Sequence, residues 1–192
     1  MTPEPAKSAE VAALAITFAL AFAHDPMTVW RRPTATPSDL RAYYAAIVAE
    51  YVGLGVMWQT HGCRAGAAWL GPEDVARRDE KRRADRRATE SREAAATAPE
   101  SVLWDWLDAR LPRQPVWFLD LIGVSPESHR QGWGSELVAL GVDRARAARC
   151  PAFLETSLET NVTFYENHGF HIVEEGTPPG GGPVVWFMQA SP

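Results

Sequence analysis

The stretch Pro115–Gly134, PVWFLDLIGVSPESHRQGWG, decides the fold. Its first half reads as a strand. Trp117, Phe118, Leu119, Leu121, Ile122 and Val124 are aromatic or branched and apolar, interrupted only by Asp120 and Gly123. Pro126 ends the strand, because proline has no backbone donor for a ladder. Gly132 and Gly134 come next, and a helical pattern follows at once. Leu137, Val138, Leu140, Val142 and Ala145 recur on one side, with Glu136, Asp143, Arg144 and Arg146 on the other. A strand, a tight glycine loop and a helix aim several backbone N–H groups, and the positive end of a helix dipole, at one spot. Such a spot suits phosphate.

Two familiar phosphate sites do not fit. The chain has no GxGxxG with an acidic ribose partner, and no GxxxxGK[ST]. The motif that does match is Val124-Ser125-Pro126 followed by His129-Arg130-Gln131-Gly132-Trp133-Gly134. It resembles the pyrophosphate-binding motif of the GNAT superfamily of acetyl-CoA-dependent N-acetyltransferases: Val-x-Pro, then [Gln/Arg]-x-x-Gly-x-[Gly/Ala]. His129 stands where the family has Gln or Arg, in a slot that contributes mainly a backbone N–H. A second match lies downstream. PAFLETS (Pro151–Ser157) reads as a strand, followed by Asn161 and by Phe164-Tyr165-Glu166-Asn167-His168-Gly169-Phe170. This resembles the family's Asn, Tyr and Gly-Phe positions, and in detail the branch that contains puromycin N-acetyltransferase. The detailed resemblance covers the chain from about Pro115 onward.

The resemblance implies an α/β fold: a mixed, largely antiparallel twisted sheet with helices on both faces, split at its two central strands where acetyl-CoA enters. It implies direct attack of an amine on the thioester, with no metal. The backbone at Ile122, Gly123 and Val124 would hold the pantetheine arm. The N–H groups of His129, Arg130, Gln131, Gly132, Trp133, Gly134 and Ser135 would cradle the pyrophosphate. Asn161 would bond the arm. Tyr165 would be the general acid, since an ordinary phenol pKa of about 10 keeps it protonated at neutral pH. Asp120 and Glu155, one on each strand flanking the pocket, are the candidates for the base that deprotonates the amine, and each can instead be a structural polar group or face away. Each residue also has a plain structural reading. Gly132 and Gly134 can mark a turn, Tyr165 can be a core aromatic beside Phe164 and Phe170, and Asn161 can cap its helix. His168 and His171 have metal-like spacing but no evident third ligand.

The remaining sequence sets the frame. A chain of 192 residues, 46% hydrophobic and 22% charged, is read as one domain spanning 1–192. Its net charge of −5 argues against a nucleic-acid partner. Cys63 and Cys150 fit no metal or redox spacing, which predicts free thiols in a reducing, cytoplasmic compartment. Residues 1–10, with Pro3 and Pro5, read as frayed, with no strand before the first helix. Val11–Ala23 ends in Ala-x-Ala like a signal peptide. Glu4, Lys7 and Glu10 are not a positive leader, however, and the run is too short for a bilayer, so an alanine-rich helix is expected.

Ser38 is the expected N-cap of a helix running to about Tyr51 with Leu40, Tyr43, Tyr44, Ile47, Val48 and Tyr51 on its apolar side. Val56–Gln59 and Ala65–Leu70 form a hairpin turning near His61-Gly62. Glu73–Glu93 mixes Arg with acids and reads as a solvated helix laced by i,i+4 pairs, within a charged insertion over 73–98 beside the acceptor pocket. Ser101–Leu107 is a short helix, and Phe170–Glu174 and Val184–Met188 are the last strands. Residues 116–175 then hold the acetyl-CoA-binding and catalytic core. The partners implied are acetyl-CoA and a small, antibiotic-like or metabolite amine, with no membrane and with a homodimer left open. The alternatives are a protein lysine or N-terminal acetyltransferase, and a non-catalytic acyl-CoA-binding regulator.

Overall fold

A computed structural model of the protein describes residues 2–78, 80–81 and 99–192. Its strands are β1 (Glu4–Pro5), β2 (Met57–Thr60), β3 (Ala65–Leu70), β4 (Trp117–Val124), β5 (Ala152–Thr156), β6 (Phe170–Gly176) and β7 (Val185–Ala190). Its helices are α1 (Val11–Ala21), α2 (Pro26–Arg31), α3 (Pro37–Gly53), α4 (Pro99–Asp108), α5 (Trp133–Ala147) and α6 (Glu159–Glu166). The strands form one sheet in the order β1-β2-β3-β4-β5-β7-β6. Every neighbouring pair is antiparallel except β4 and β5. Parallel neighbours need a crossover, and α5, opened by the glycine loop, supplies it. This is the mixed, largely antiparallel α/β sheet that the resemblance implies.

The two-residue period of a strand sends neighbours to opposite faces, and each face has its own core. Phe118, Phe153 and Phe187 pack with α1, α3 and α4. Leu119, Leu154 and Met188 pack with Trp133, Leu137, Val138 and Val142 of α5 and with Tyr165 of α6. Among the described residues no helix is long and apolar enough to cross a membrane.

On the first face α1 lies almost on the backbone of the sheet. Gly66 of β3 and Gly123 of β4 are cross-strand partners. A Cβ on Gly66 would sit 2.8 Å from Leu14 Cδ2, and one on Gly123 2.8 Å from Phe18 Cδ1. Both are closer than side-chain contacts normally come, so two glycines in register admit the helix.

On the second face the indole of Trp69 lies under α5 and donates from Nε1 to the Leu137 carbonyl at 2.9 Å. A Cβ on Gly141 would fall 1.9 Å from Trp69 Cε2. Gly141→Ala should therefore force the helix off the sheet. We expect it to destabilise by about 3 kcal/mol, the upper part of the usual overpacking range. Urea denaturation measures this, and a variant as stable as the parent would contradict the packing described.

Three expectations need correction. The amino end is not frayed: β1 pairs with β2, with Glu4 opposite Gln59, and Gln59 Nε2 donates to Glu4 Oε1 at 2.7 Å. Two prolines hide so short a strand from any periodicity reading. The cap of α3 is Thr36, not Ser38. Pro37 suits the first helical position, which makes the preceding residue the cap. Thr36 and Asp39 bond each other's backbone N–H, at 2.9 and 3.2 Å. The charged run is helical over 72–78 and at 80–81, and its remainder to Glu93 lies outside the described residues. Arg77 makes the expected surface pairs with Glu73 and Asp74, but Arg78 is buried at 5% exposure.

Candidate active site

The parallel contact between β4 and β5 is short. Trp117, Phe118 and Leu119 pair with Ala152, Phe153 and Leu154, and no further. Past Leu119 strand β4 continues with β3 on one edge only, while Glu155 and Thr156 stay with β7. The sheet therefore splits. A cavity of about 380 Å³ opens there, walled by α2, α3, α4 and α6.

The split starts at a β-bulge. Ala68 pairs with Leu121 and Trp69 with Leu119, leaving Asp120 without a partner on β3. Bulges re-aim side chains. Asp120 takes a bond on Oδ1 from Arg78 Nη1, at the end of the helical run 72–78, at 2.6 Å and one on Oδ2 from the Tyr51 hydroxyl of α3. The Arg78 guanidinium also lies 4.8 Å from the centroid of Phe118. Asp120 is thus part of a mostly buried ion pair with both oxygens engaged.

Tyr165 comes from the other side of the split. It is 3% exposed and held edge-on by Phe164 and Phe170, at centroid distances of 5.2 and 5.9 Å. It lines the cavity, and among the described residues no group hydrogen-bonds its hydroxyl. Burial pushes its pKa above the ordinary phenol value. Asn161 also lines the cavity and points Nδ2 at Thr156 Oγ1, 3.5 Å away. It is not the helix cap, because α6 begins two residues earlier with Leu158 in the capping position. Glu155 and Ile122 complete the set, so Asp120, Ile122, Glu155, Asn161 and Tyr165 meet in one cavity.

Gly123 and the loop residues do not line it. Gly123 faces Phe18. The loop lies where β4 ends, and Gly134 approaches Val124 and Phe164 at ordinary contact distance. Gly132 has φ 83 and caps α5, a backbone conformation that glycine adopts freely. Its requirement is conformational, since a Cβ there would meet no protein atom within 4 Å. Arg130 is also left-handed, with φ 62. The first turn of a helix leaves its N–H groups without intrahelical acceptors, here those of Trp133, Gly134 and Ser135. Gln131 and Gly132 are exposed beside them. His129 differs from expectation: its N–H bonds the Pro126 carbonyl at 3.4 Å, and its Nε2 sits 3.2 Å from the Val124 carbonyl. His168 turns Nδ1 to the Phe164 carbonyl at 2.7 Å, while His171 is exposed on β6.

Several cavity residues had no signal in the sequence. Asp25 caps α2, accepting from the Thr28 N–H at 2.8 Å, and its other oxygen accepts from Ser157 Oγ at 3.1 Å. Tyr44 and Arg31 line the wall. These residues come from the first half of the chain, and only the fold brings them to the strands.

The acetyltransferase (GNAT) family model matches residues 25–170, and the chain belongs to that family. It is an acetyltransferase, of a family whose enzymes use acetyl-CoA and an acceptor. The whole chain superposes on 96% of a "histone acetyltransferase HPA2 and related acetyltransferase" of Corynebacterium glutamicum, with TM-score 0.68 and 22% identity. It also superposes, over its full length, on 99% of the polyamine N-acetyltransferase of Drosophila melanogaster, with TM-score 0.66 and 15% identity. A third match, to 99% of a chain in the NatC complex bound to Gag peptide and CoA, has TM-score 0.54 and 10% identity. At these identities the likeness is one of fold.

Proposed function

We propose that the protein moves the acetyl group of acetyl-CoA to a primary amine of a small molecule by direct attack. The observation that carries this reading is the cavity at the split, which gathers Tyr165, Glu155, Asn161 and the edge of β4 that β5 leaves. A volume of about 380 Å³ suits a small molecule. The FLETS and FYE resemblance to the puromycin-type branch favours an antibiotic-like or metabolite amine.

Acetyl-CoA supplies the activated acyl group. The backbone of Ile122 and Val124 on the edge of β4 away from β3, adjoining Gly123, fits the pantetheine arm as an added strand would. The left-handed Gly132 and the N–H groups from Arg130 to Ser135 fit a pyrophosphate. Glu155 is the base, directly or through water, from its place on β5 at the cavity wall. The amine nitrogen bonds to the acyl carbon, the carbon–sulfur bond breaks, and Tyr165 protonates the departing sulfur. Asn161 holds the arm. In this reading residues 116–175 form the acetyl-CoA-binding core, and of the charged run the described Arg78 and Lys81 line the cavity. Cys63 and Cys150 are free thiols, which fits a reducing, cytoplasmic setting.

Acetyl-CoA should stabilise the fold. A ligand that binds only the native state adds about 2.7 kcal/mol at a hundredfold excess over its dissociation constant. Thermal melting with and without acetyl-CoA measures this, and no shift at millimolar ligand would remove the cofactor assignment. A thiol-release screen of amines against peptides then identifies the acceptor class. Turnover on peptides alone would overturn the small-molecule reading.

A further inference from the structure

The turn between β2 and β3 is strained and touches the glycine loop. His61, Gly62 and Cys63 have φ of 54, 67 and 67, three consecutive residues in the left-handed region. Outside glycine such backbone is unfavourable and persists where surrounding structure enforces it. Two contacts tie this turn to the connection between β4 and α5. The Arg64 carbonyl accepts the Ser125 N–H at 2.8 Å. The imidazole of His61 lies flat on the indole of Trp133, with centroids 4.0 Å apart and planes 11° from parallel.

Trp133 is the residue between Gly132 and Gly134, and it is 8% exposed. The opposite side of its environment is the core of the second face, with Leu137, Val138 and Tyr165. The His61 ring also comes within 3.4 Å of Glu136 Oε2 in the first turn of α5. One side chain from a distant hairpin therefore bears on both the centre of the loop and the helix it opens.

We propose that His61 is a positioning residue for the acetyl-CoA loop: its ring, pressed on Trp133, holds the Gly132–Gly134 turn so that its N–H groups face one way. Gly132 has open space around it, so the loop's order must come from its neighbours, and the flanking Trp133 is its buried anchor. The inference rests on reading residues 130–135 as the acetyl-CoA cradle.

The test compares wild type with His61→Ala and His61→Phe. Both replacements carry a Cβ at the same positive φ, so the backbone cost matches and only the ring differs. Calorimetric titration with acetyl-CoA and steady-state thiol release are read on all three. His61→Ala should weaken acetyl-CoA binding about three- to tenfold, the range a stacked aromatic pair is worth. It should raise the KM for acetyl-CoA alike, while kcat stays put. His61→Phe should recover most of the affinity. Wild-type affinity in His61→Ala would overturn the inference. So would a Phe variant as weak as the Ala variant, or a loss in kcat with no change in KM. Wild type that fails to bind acetyl-CoA would overturn the cradle reading itself.

Discussion

Tyr165→Phe should lower kcat by roughly 10²-fold and leave acetyl-CoA affinity nearly unchanged. The ring keeps its edge-on contacts with Phe164 and Phe170. The hydroxyl has no hydrogen-bond partner among the described residues, so its removal leaves no buried group unsatisfied. Only the proton donor is lost. The magnitude sits at the low end of the roughly 10²–10⁴ range for general acid catalysis, for a reason visible in the site. Burial pushes the phenol above its ordinary pKa, which makes it a weaker acid than an exposed tyrosine and leaves water less far behind. The same shift keeps it protonated throughout the neutral and mildly alkaline range, so kcat should not fall there through loss of this acid. Steady-state thiol release beside a binding titration decides the matter. An unchanged kcat where chemistry is rate-limiting would dismiss Tyr165 as the acid, and an equal collapse of affinity would make it a cofactor anchor.

Asp120→Ala should act on stability before it acts on chemistry. It takes away the carboxylate that the Arg78 guanidinium, 5% exposed, meets at 2.6 Å. Breaking a buried ion pair by removing one partner typically costs about 3–5 kcal/mol, and the partial exposure of Asp120 places the expected loss at about 3 kcal/mol. Replacing both partners removes the pair as a whole, so Asp120→Ala with Arg78→Met should recover part of the loss. Urea denaturation of the two single variants and the double variant measures the coupling. Additive losses would mean that the pair does not hold β4 as described. A large fall in kcat with unchanged stability would return Asp120 to the role of base.

Pattern and motif sufficed for the second half of the chain because each signal there is local. The apolar run Trp117–Val124, the glycines opening α5 and the aromatic contacts of Tyr165 are each contained within a few consecutive residues, and the split follows from where β5 leaves β4. The first half hid its contribution because its chemistry is tertiary. Asp120 reads as a strand carboxylate in either role, and nothing near it in sequence announces Arg78 or Tyr51. Asp25 reads as a helix-end residue, and its bond to Ser157 spans the chain. Arg78 stands beside Arg77 and Lys81, which pair at the surface, and only its burial against Asp120 and Phe118 distinguishes it. β1 was invisible because two residues, one of them a proline and another proline just before them, have no period to detect.

The glycine pair Gly66 and Gly123 has a consequence beyond packing. The outer edge of β4 past Leu119 has lost the support of β5, and an edge freed in that way would ordinarily fluctuate. Phe18 bears directly on Gly123 from above, and β3 holds the opposite edge. The backbone that a bound arm would meet is thus already fixed. Its ordering entropy is charged to folding instead of to association, so contacts made along this edge reach affinity with less offset from immobilising the protein. A bulkier residue at position 123 would lift α1 and return that cost to the binding step.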